Sequence, residues 1–291
     1  MLQFVTIGLF QGAVYGLVAV GLVLVYKGSR VFNFAQGEVG TAAAYIAWSL
    51  WSLAGLPLGL AVLVGLVAAV LLGLLIERLV VRPMFEASRI SVLVALIGVA
   101  LLIIGIEVVV GKPEARILDP LIPGFFVFLD TAIEWQQLLA LGALGAVAAL
   151  MALFFRTNAG LAVLAVSQDA TATRIMGISV KAMSRLIWVL AALLAGLAGI
   201  LQASIDQLTP AMMTRTSLVP AFTAAVLGGM TSLPGAFLGG ILVGVAQNVG
   251  IYAFGSAGTL LQIPGAPELL VFSMLLLVLL IRPQGIFGRE A

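Results

Sequence analysis

An all-α, polytopic transmembrane helical bundle is the fold this sequence predicts, and three observations predict it. Hydrophobic residues make up 63% of the 291-residue chain and charged residues only 9%. A soluble domain carries about 25% charged residues, and a soluble chain of this length could not cover its interior with so few. The apolar residues also come in blocks of about 20, the length a helix needs to cross the hydrocarbon layer, and not in the alternating pattern of a transmembrane β-barrel. Finally, the mean hydropathy is +1.24, and the Lys and Arg cluster in a few loops.

About eight to nine hydrophobic segments follow in order, at roughly 4–26, 38–53, 58–81, 90–110, 135–155, 186–205, 217–230, 236–254 and 266–281. The first is followed, not preceded, by its nearest cation, Lys27, so it lacks the basic start of a cleaved signal peptide and reads as a retained span. Between the first and second lies "NFAQGEVG", residues 33–40, which reads as helix, break, helix. Asn33, Gln36 and Glu38 sit there among Gly37, Gly40 and apolar neighbours. The third to sixth segments are apolar runs. The seventh is short for a full crossing and either spans or re-enters. It leads into "AVLGGMTSLPGAFLGG", residues 225–240. There Gly228 and Gly229 break a helix, Thr231 and Ser232 supply hydroxyls, and Pro234 can open the next helix at its first turn. Glycines four apart (Gly12 and Gly16, Gly235 and Gly239, Gly240 and Gly244) suit close helix packing in lipid.

Lys and Arg mark the cytoplasmic side of a membrane protein. Here they are Lys27 and Arg30; Arg78, Arg82 and Arg89; Arg156, Arg174, Lys181 and Arg185; and Arg282 and Arg289. The opposite loops are neutral or acidic: the 111–134 loop carries Glu114, Asp119, Asp130 and Glu134 against Lys112 and Arg116. This pattern places the N-terminus outside and the C-terminus in the cytoplasm, with an odd number of crossings. If the seventh segment only re-enters, the parity changes.

The longest loop on the basic side is 156–185. Within it "SQDATATRIMG" reads as one short helix, capped by Ser167 or Asp169 and ended by a left-handed Gly177. Such a knob suits docking on another protein; the plainer alternative is a solvated connector. Interrupted helices at membrane depth are tolerated only where the backbone is buried in protein or lines a wet cavity, and paired interruptions point to a transport site. For 225–240 a tight cytoplasmic turn is the plainer reading. Glu38 is accounted for by the dipole of the helix it opens, and Glu107 and Glu268 are placed near span ends without a role. There is no phosphate-binding loop, nucleophile–base pair or metal cluster, no Cys or His, and no basic block for nucleic acid. An enzyme is disfavoured, and energy for uphill transport must come from elsewhere.

The stretch "VYGLVAVGLVLVYKGSRVFNFAQGEVGTAAAYIAW", the loop "SQDATATRIMGISV", "AVLGGMTSLPGAFLGGILVG" and the closing "IRPQGIFG" resemble the branched-chain amino-acid ABC transporter permeases, in their shorter, LivH-type branch. The match runs over nearly the whole chain in order and spacing. It implies a single permease domain, 1–291, in a bacterial or archaeal plasma membrane, with 156–185 as its cytoplasmic coupling loop. The implied partners are a second, LivM-type permease in a heterodimer, two cytoplasmic ATPases that use ATP and Mg, and an extracytoplasmic solute-binding protein. No cofactor or metal is implied for this chain. The family's coupling helix matches Ser167, Asp169, Arg174 and Gly177, and its broken helix matches Asn33, Phe34, Ala35, Gly37 and Glu38. Many relatives have His where this chain has Gln36, so a protonation role does not transfer. The resulting substrate path is Asn33, Gln36, Gly37, Glu38, Gly228, Gly229, Thr231 and Ser232. The expected cargo is a branched-chain amino acid or similar small zwitterion, with urea or a short amide second. A polyanion is disfavoured because no cation is evident at membrane depth. A secondary transporter or channel is the alternative of a different class; it would want a titratable group inside the membrane.

Overall fold

A computed structural model of the chain describes residues 1–112, 114–128, 131–255, 265–282 and 284–288. Among the described residues, eleven α-helices and one hairpin form. They are α1 (Leu2–Ser29), α2 (Gln36–Ser52), α3 (Leu58–Ile76), α4 (Arg89–Gly111), β1 (Phe125–Phe128), β2 (Thr131–Glu134), α5 (Trp135–Phe154), α6 (Asn158–Gln168), α7 (Ala170–Ile175), α8 (Val180–Ala203), α9 (Val219–Gly228), α10 (Leu233–Gly255) and α11 (Ala266–Ile281). A π turn, Glu77–Val81, extends α3, and another, Thr214–Leu218, leads into α9. Six helices (α1, α3 with its extension, α4, α5, α8 and α10) are long and apolar enough to cross a membrane. The expected helical bundle is present. Asp130, Pro283 and Arg289, used above, lie outside the described residues.

The helices form an inner and an outer set. In the most apolar window of α1, 83% of residues are buried, and in α8 72%, against 28% in α4 and 22% in α5. The last two therefore present most of their apolar surface outward, as lipid-facing helices do. In lipid no hydrophobic drive joins helices, so backbones must approach closely. Glycine permits this between α1 and α10: a Cβ on Gly12 would lie 2.7 Å from the Gly240 carbonyl oxygen, and one on Gly244 would lie 2.4 Å from Gly12 Cα.

Two connections fold back into the bundle. After α1, residues 30–35 return inward, and α2 starts beside the middle of its neighbours. Gln36 Nε2 donates to the Ala191 carbonyl at 2.9 Å, and a Cβ on Gly21 would meet the same side chain. At 1.5 Å per residue, Gly21 and Ala191 lie about 12–16 Å from the basic ends of α1 and α8. After α8 the chain pairs with the 112–124 loop (Leu208 N to Arg116 O, 2.9 Å) and then re-enters. Met213 N donates to Thr41 Oγ1 at 3.2 Å. From there the π turn and α9 run to the basic end. The short seventh segment is thus a helix that begins at depth. With the re-entry before it, the chain still passes from one end to the other, from Leu208 to Gly228, so the parity is that of a full crossing.

The basic-side loop differs from its expected form. It holds two helices, not one. Thr157 caps α6, its Oγ1 accepting from Gly160 N at 3.2 Å. Asp169 caps α7, accepting from Thr171 N and Ala172 N at 2.8 and 3.0 Å. Ser167 caps nothing: it lies inside α6, and its hydroxyl donates back to Leu164 O. Gly177 does take positive φ, at 84°. The 111–134 loop carries the antiparallel β1–β2 hairpin, registered from Phe125↔Glu134 to Phe128↔Thr131, which hydrophobic periodicity had not signalled.

Candidate functional site

The polar groups of "NFAQGEVG" are closed upon one another. Asn33 Nδ2 donates to Gln36 Oε1 at 3.0 Å, and Asn33 Oδ1 accepts from Ala35 N at 3.1 Å. With the Gln36–Ala191 bond, the two buried amides satisfy much of their hydrogen-bonding capacity without any ligand, as buried polar groups must. Gly37 lets the start of α2 approach the second re-entry: a Cβ there would lie 2.9 Å from Thr214 Oγ1. Glu38 is fully buried. It lies in the first turn of α2, yet the helix has no side-chain cap; its carboxyl faces Thr214 and Glu107 instead. Glu107, placed from sequence near a span end without a role, is buried beside it. Its Oε2 accepts from Ala211 N at 3.0 Å. The starts of two broken helices therefore meet at two carboxyl groups, where their N-terminal dipoles favour negative charge.

Gly228, Gly229, Thr231 and Ser232 do not join this cluster. They form a tight turn at the basic end. Gly229 takes φ 94°, and a Cβ on Gly228 would lie 2.1 Å from the Gly235 backbone. Ser232 Oγ accepts from Gly235 N at 3.1 Å. The Leu227 and Gly228 carbonyls accept from Ile286 N and Phe287 N. Thr231 and Ser232 line a cavity of about 780 Å³ with Lys27, Arg30, Ser167 and Phe287. The eight residues grouped as one path are thus two clusters at different depths. The counterpart of the first break is Ala211–Leu218, just before α9, and not the glycine pair after it. Of the first cluster, Asn33 touches a small apolar cavity, about 180 Å³, walled by Phe32, Phe34 and Phe222.

A further cavity, with several amide and charged side chains on its wall, opens at the end opposite the basic loops. It has a volume of about 620 Å³ and brings together Gln11 and Tyr15 of α1, Gln202 of α8, and Gln247 and Asn248 of α10. Asp206, Arg215 and Glu268 lie on its wall, beside Val219, Val271 and Phe272. Tyr15 Oη donates to Gln247 Oε1 at 2.8 Å, and Gln11 Nε2 to Gln202 Oε1 at 3.2 Å. Arg215 Nη2 donates to Thr209 Oγ1 and to Pro210 O at 2.7 and 2.9 Å, which props the guanidinium on the re-entrant segment. Val219 and Phe272 also line the small apolar cavity, so the polar space abuts the aromatic one. This cavity went unread in the sequence, and so did Arg215, which the sequence reading assigned to neither side. The cavity's available signal was the set of amides inside apolar runs. At the basic end, Asp169, Arg174 and Gly177 sit on or beside α7, with Ile175 and Met176 strongly exposed. No group of three metal-ligating side chains occurs among the described residues.

Comparison with known proteins gives a consistent result. Residues 4–281 match the family described as branched-chain amino acid transport system, permease component. The chain is 33% identical to the high-affinity branched-chain amino acid transport system permease protein BraD of Pseudomonas aeruginosa, over 99% of this chain and 96% of the relative. It is 29% identical to the permease protein LivH of the corresponding Escherichia coli K12 system, over 97% and 94%. It is also 29% identical to a probable branched-chain amino acid transport permease protein LivH of Methanocaldococcus jannaschii, over 94% and 88%. Among solved structures it is similar to PsaBC from Streptococcus pneumoniae in complex with Fab, with a TM-score of 0.50 and 16% identity over 97% of this chain and 92% of that one. At that identity the likeness concerns the fold.

Proposed function

Since the chain belongs to the family of permease components of branched-chain amino-acid transport systems, we propose that its amide-lined cavity is the entry to a path for a small zwitterion. Branched-chain amino acids are the first choice of cargo and urea or a short amide the second. The observation that carries this reading is the side-chain set of the cavity. An amino acid brings a carboxylate, an ammonium and an aliphatic group. Arg215 suits the first by charge-assisted hydrogen bonding, Asp206 and Glu268 suit the second, and Val219, Val271 and Phe272 suit the third. Gln11, Gln202, Gln247 and Asn248 can bind either polar end without holding a charge. The aromatic cluster of Phe32, Phe34 and Phe222 then closes the path below the cavity.

The rest of the system follows from the same reading. The basic end faces the cytoplasm, so the N-terminus is outside and the C-terminus inside. Residues 1–291 act as one transmembrane domain, paired with a second, LivM-type permease. Two partner ATPases hydrolyse ATP with Mg and dock on α6–α7 around Asp169, Arg174 and Gly177. An extracytoplasmic binding protein delivers the cargo. This chain holds no cofactor of its own.

Proteoliposomes containing the whole system test the proposal. Labelled leucine or valine should enter when ATP is supplied on the cytoplasmic face, and Arg215→Gln should cut uptake by about tenfold or more, the loss of a charged hydrogen bond worth ~1.5–3 kcal/mol. Uptake confined to urea or a short amide moves the cargo to the second choice. Uptake of multiply charged anions alone, or unchanged leucine uptake in Arg215→Gln, overturns the reading of the cavity.

A further inference from the structure

Two carboxyl groups meet inside the bundle, and the cavity proposed as the entry to the path uses neither of them. Glu38 of α2 is fully buried and Glu107 of α4 nearly so. They are neighbours, each carboxyl acting on the other. Neither Glu38 oxygen makes a hydrogen bond, nor does Glu107 Oε1, although the Thr214 hydroxyl and amide lie beside Glu38; Glu107 Oε2 takes the Ala211 amide. The buried hydroxyls of Thr214 and Tyr45 also lack partners. Glu77, the other fully buried carboxylate among the described residues, is by contrast paired with Arg82 at 2.8 Å.

An ionised carboxylate only accepts hydrogen bonds. Two of them in contact repel, and nothing at this site stands between them to prevent it. One proton between the pair replaces that repulsion with an O–H···O⁻ bond, among the strongest hydrogen bonds proteins make. A bound cation would also screen the repulsion, but the surroundings oppose one. The amide ends of two broken helices converge here. The facing charged and titratable groups are Arg215, from the segment before α9, and Tyr45 of α2, which is itself approached by Arg116 and Arg215. This field suits a single negative charge, not two and not a metal ion.

We propose that Glu38 and Glu107 hold one proton in common at neutral pH, and that this proton clasps α2, α4 and the start of the second broken helix together. The clasp joins residues far apart in sequence, at the depth where both re-entrant segments turn. It is a proton-binding site that the amide-lined cavity does not include.

Infrared difference spectroscopy of the full transporter in lipid reads the proton directly. The wild type should show one buried carboxylic C=O band at neutral pH, shifted in heavy water. Glu38→Gln and Glu107→Gln should each abolish it, because the amide then donates to the remaining carboxylate. Both Gln variants should melt near the wild-type temperature, whereas Glu38→Ala and Glu107→Ala should melt clearly lower. Absence of the band in the wild type overturns the proposal. Its survival in either Gln variant assigns the proton to one carboxyl alone and also overturns it. So does a band that sodium or calcium chloride removes reversibly, since a cation would then hold the site. Gln variants that melt as low as the Ala variants would rule out a clasp.

Discussion

The break at residues 30–35 lies about halfway through the bundle, closed by its own amides and touching only a small apolar cavity, whereas the break at 229–232 lies at the basic end and borders a much larger one. Both read in sequence as glycine-bearing polar interruptions between apolar runs. In the first, Asn33 and Gln36 bond to each other and to the Ala191 carbonyl. In the second, Ser232 caps α10, while Thr231 faces the cavity. The difference teaches that depth is not written in the interrupting letters. It is set by how far the flanking helices reach and by which neighbours they meet. A polar break at depth must be satisfied by protein; one at the rim can be satisfied by water.

Substitutions in the two breaks sharpen this contrast. The largest effect is expected at Gly228→Ala. The new Cβ would lie 2.1 Å from the Gly235 backbone, and backbone cannot yield as a side-chain tip can. A cost of about 3 kcal/mol or more is expected, seen as a loss of folded protein in detergent. Normal melting behaviour would show that α9 and α10 are not packed this closely.

Gln36→Leu comes next. It removes the bond to Ala191 and leaves the Asn33 amide without its acceptor in a dry interior. About 2–3 kcal/mol is expected, measured as a lower melting temperature. A variant as stable as wild type would break the comparison, because it would mean that water reaches this depth. Ser232→Ala should cost less, about 1 kcal/mol, the usual value of a lost helix cap. Thr231→Ala should move stability by less than about 0.5 kcal/mol, since the structure gives its side chain no hydrogen bond among the described residues. If the two rim substitutions cost as much as Gln36→Leu, the breaks are physically alike after all.

The fold was legible because a bilayer leaves few options. Long apolar runs must be helices, since their backbone groups have no other partners there. The segments at 58–81, 90–110, 135–155 and 236–254 correspond closely to α3, α4, α5 and α10. Caps were legible where one side chain acts on its own neighbours: Asp169 caps α7, and Gly177 turns left-handed after it. Of the two cap candidates Ser167 does not serve, because α6 continues through it, and helix continuation depends on what the helix packs against. The β1–β2 hairpin carries too short a pattern to outweigh its polar surroundings.

The candidate site was less legible for a geometric reason. Gln11, Gln202 and Gln247 are single amides in three separate apolar runs, and each taken singly looks incidental. Their meeting depends on α1 packing against both α8 and α10. Glu38 and Glu107 are likewise 69 positions apart, and each alone resembles a carboxylate near a helix end. The sequence by itself determined the membrane class, most helix positions, the cation-rich end and the presence of two odd polar breaks, because those follow from composition and from interactions within a few residues. Only the tertiary structure decided which break lies deep, which amides share a cavity and which carboxyls touch. Those facts depend on helix depth and close glycine-mediated packing, and no local run of residues encodes how far its distant neighbours extend.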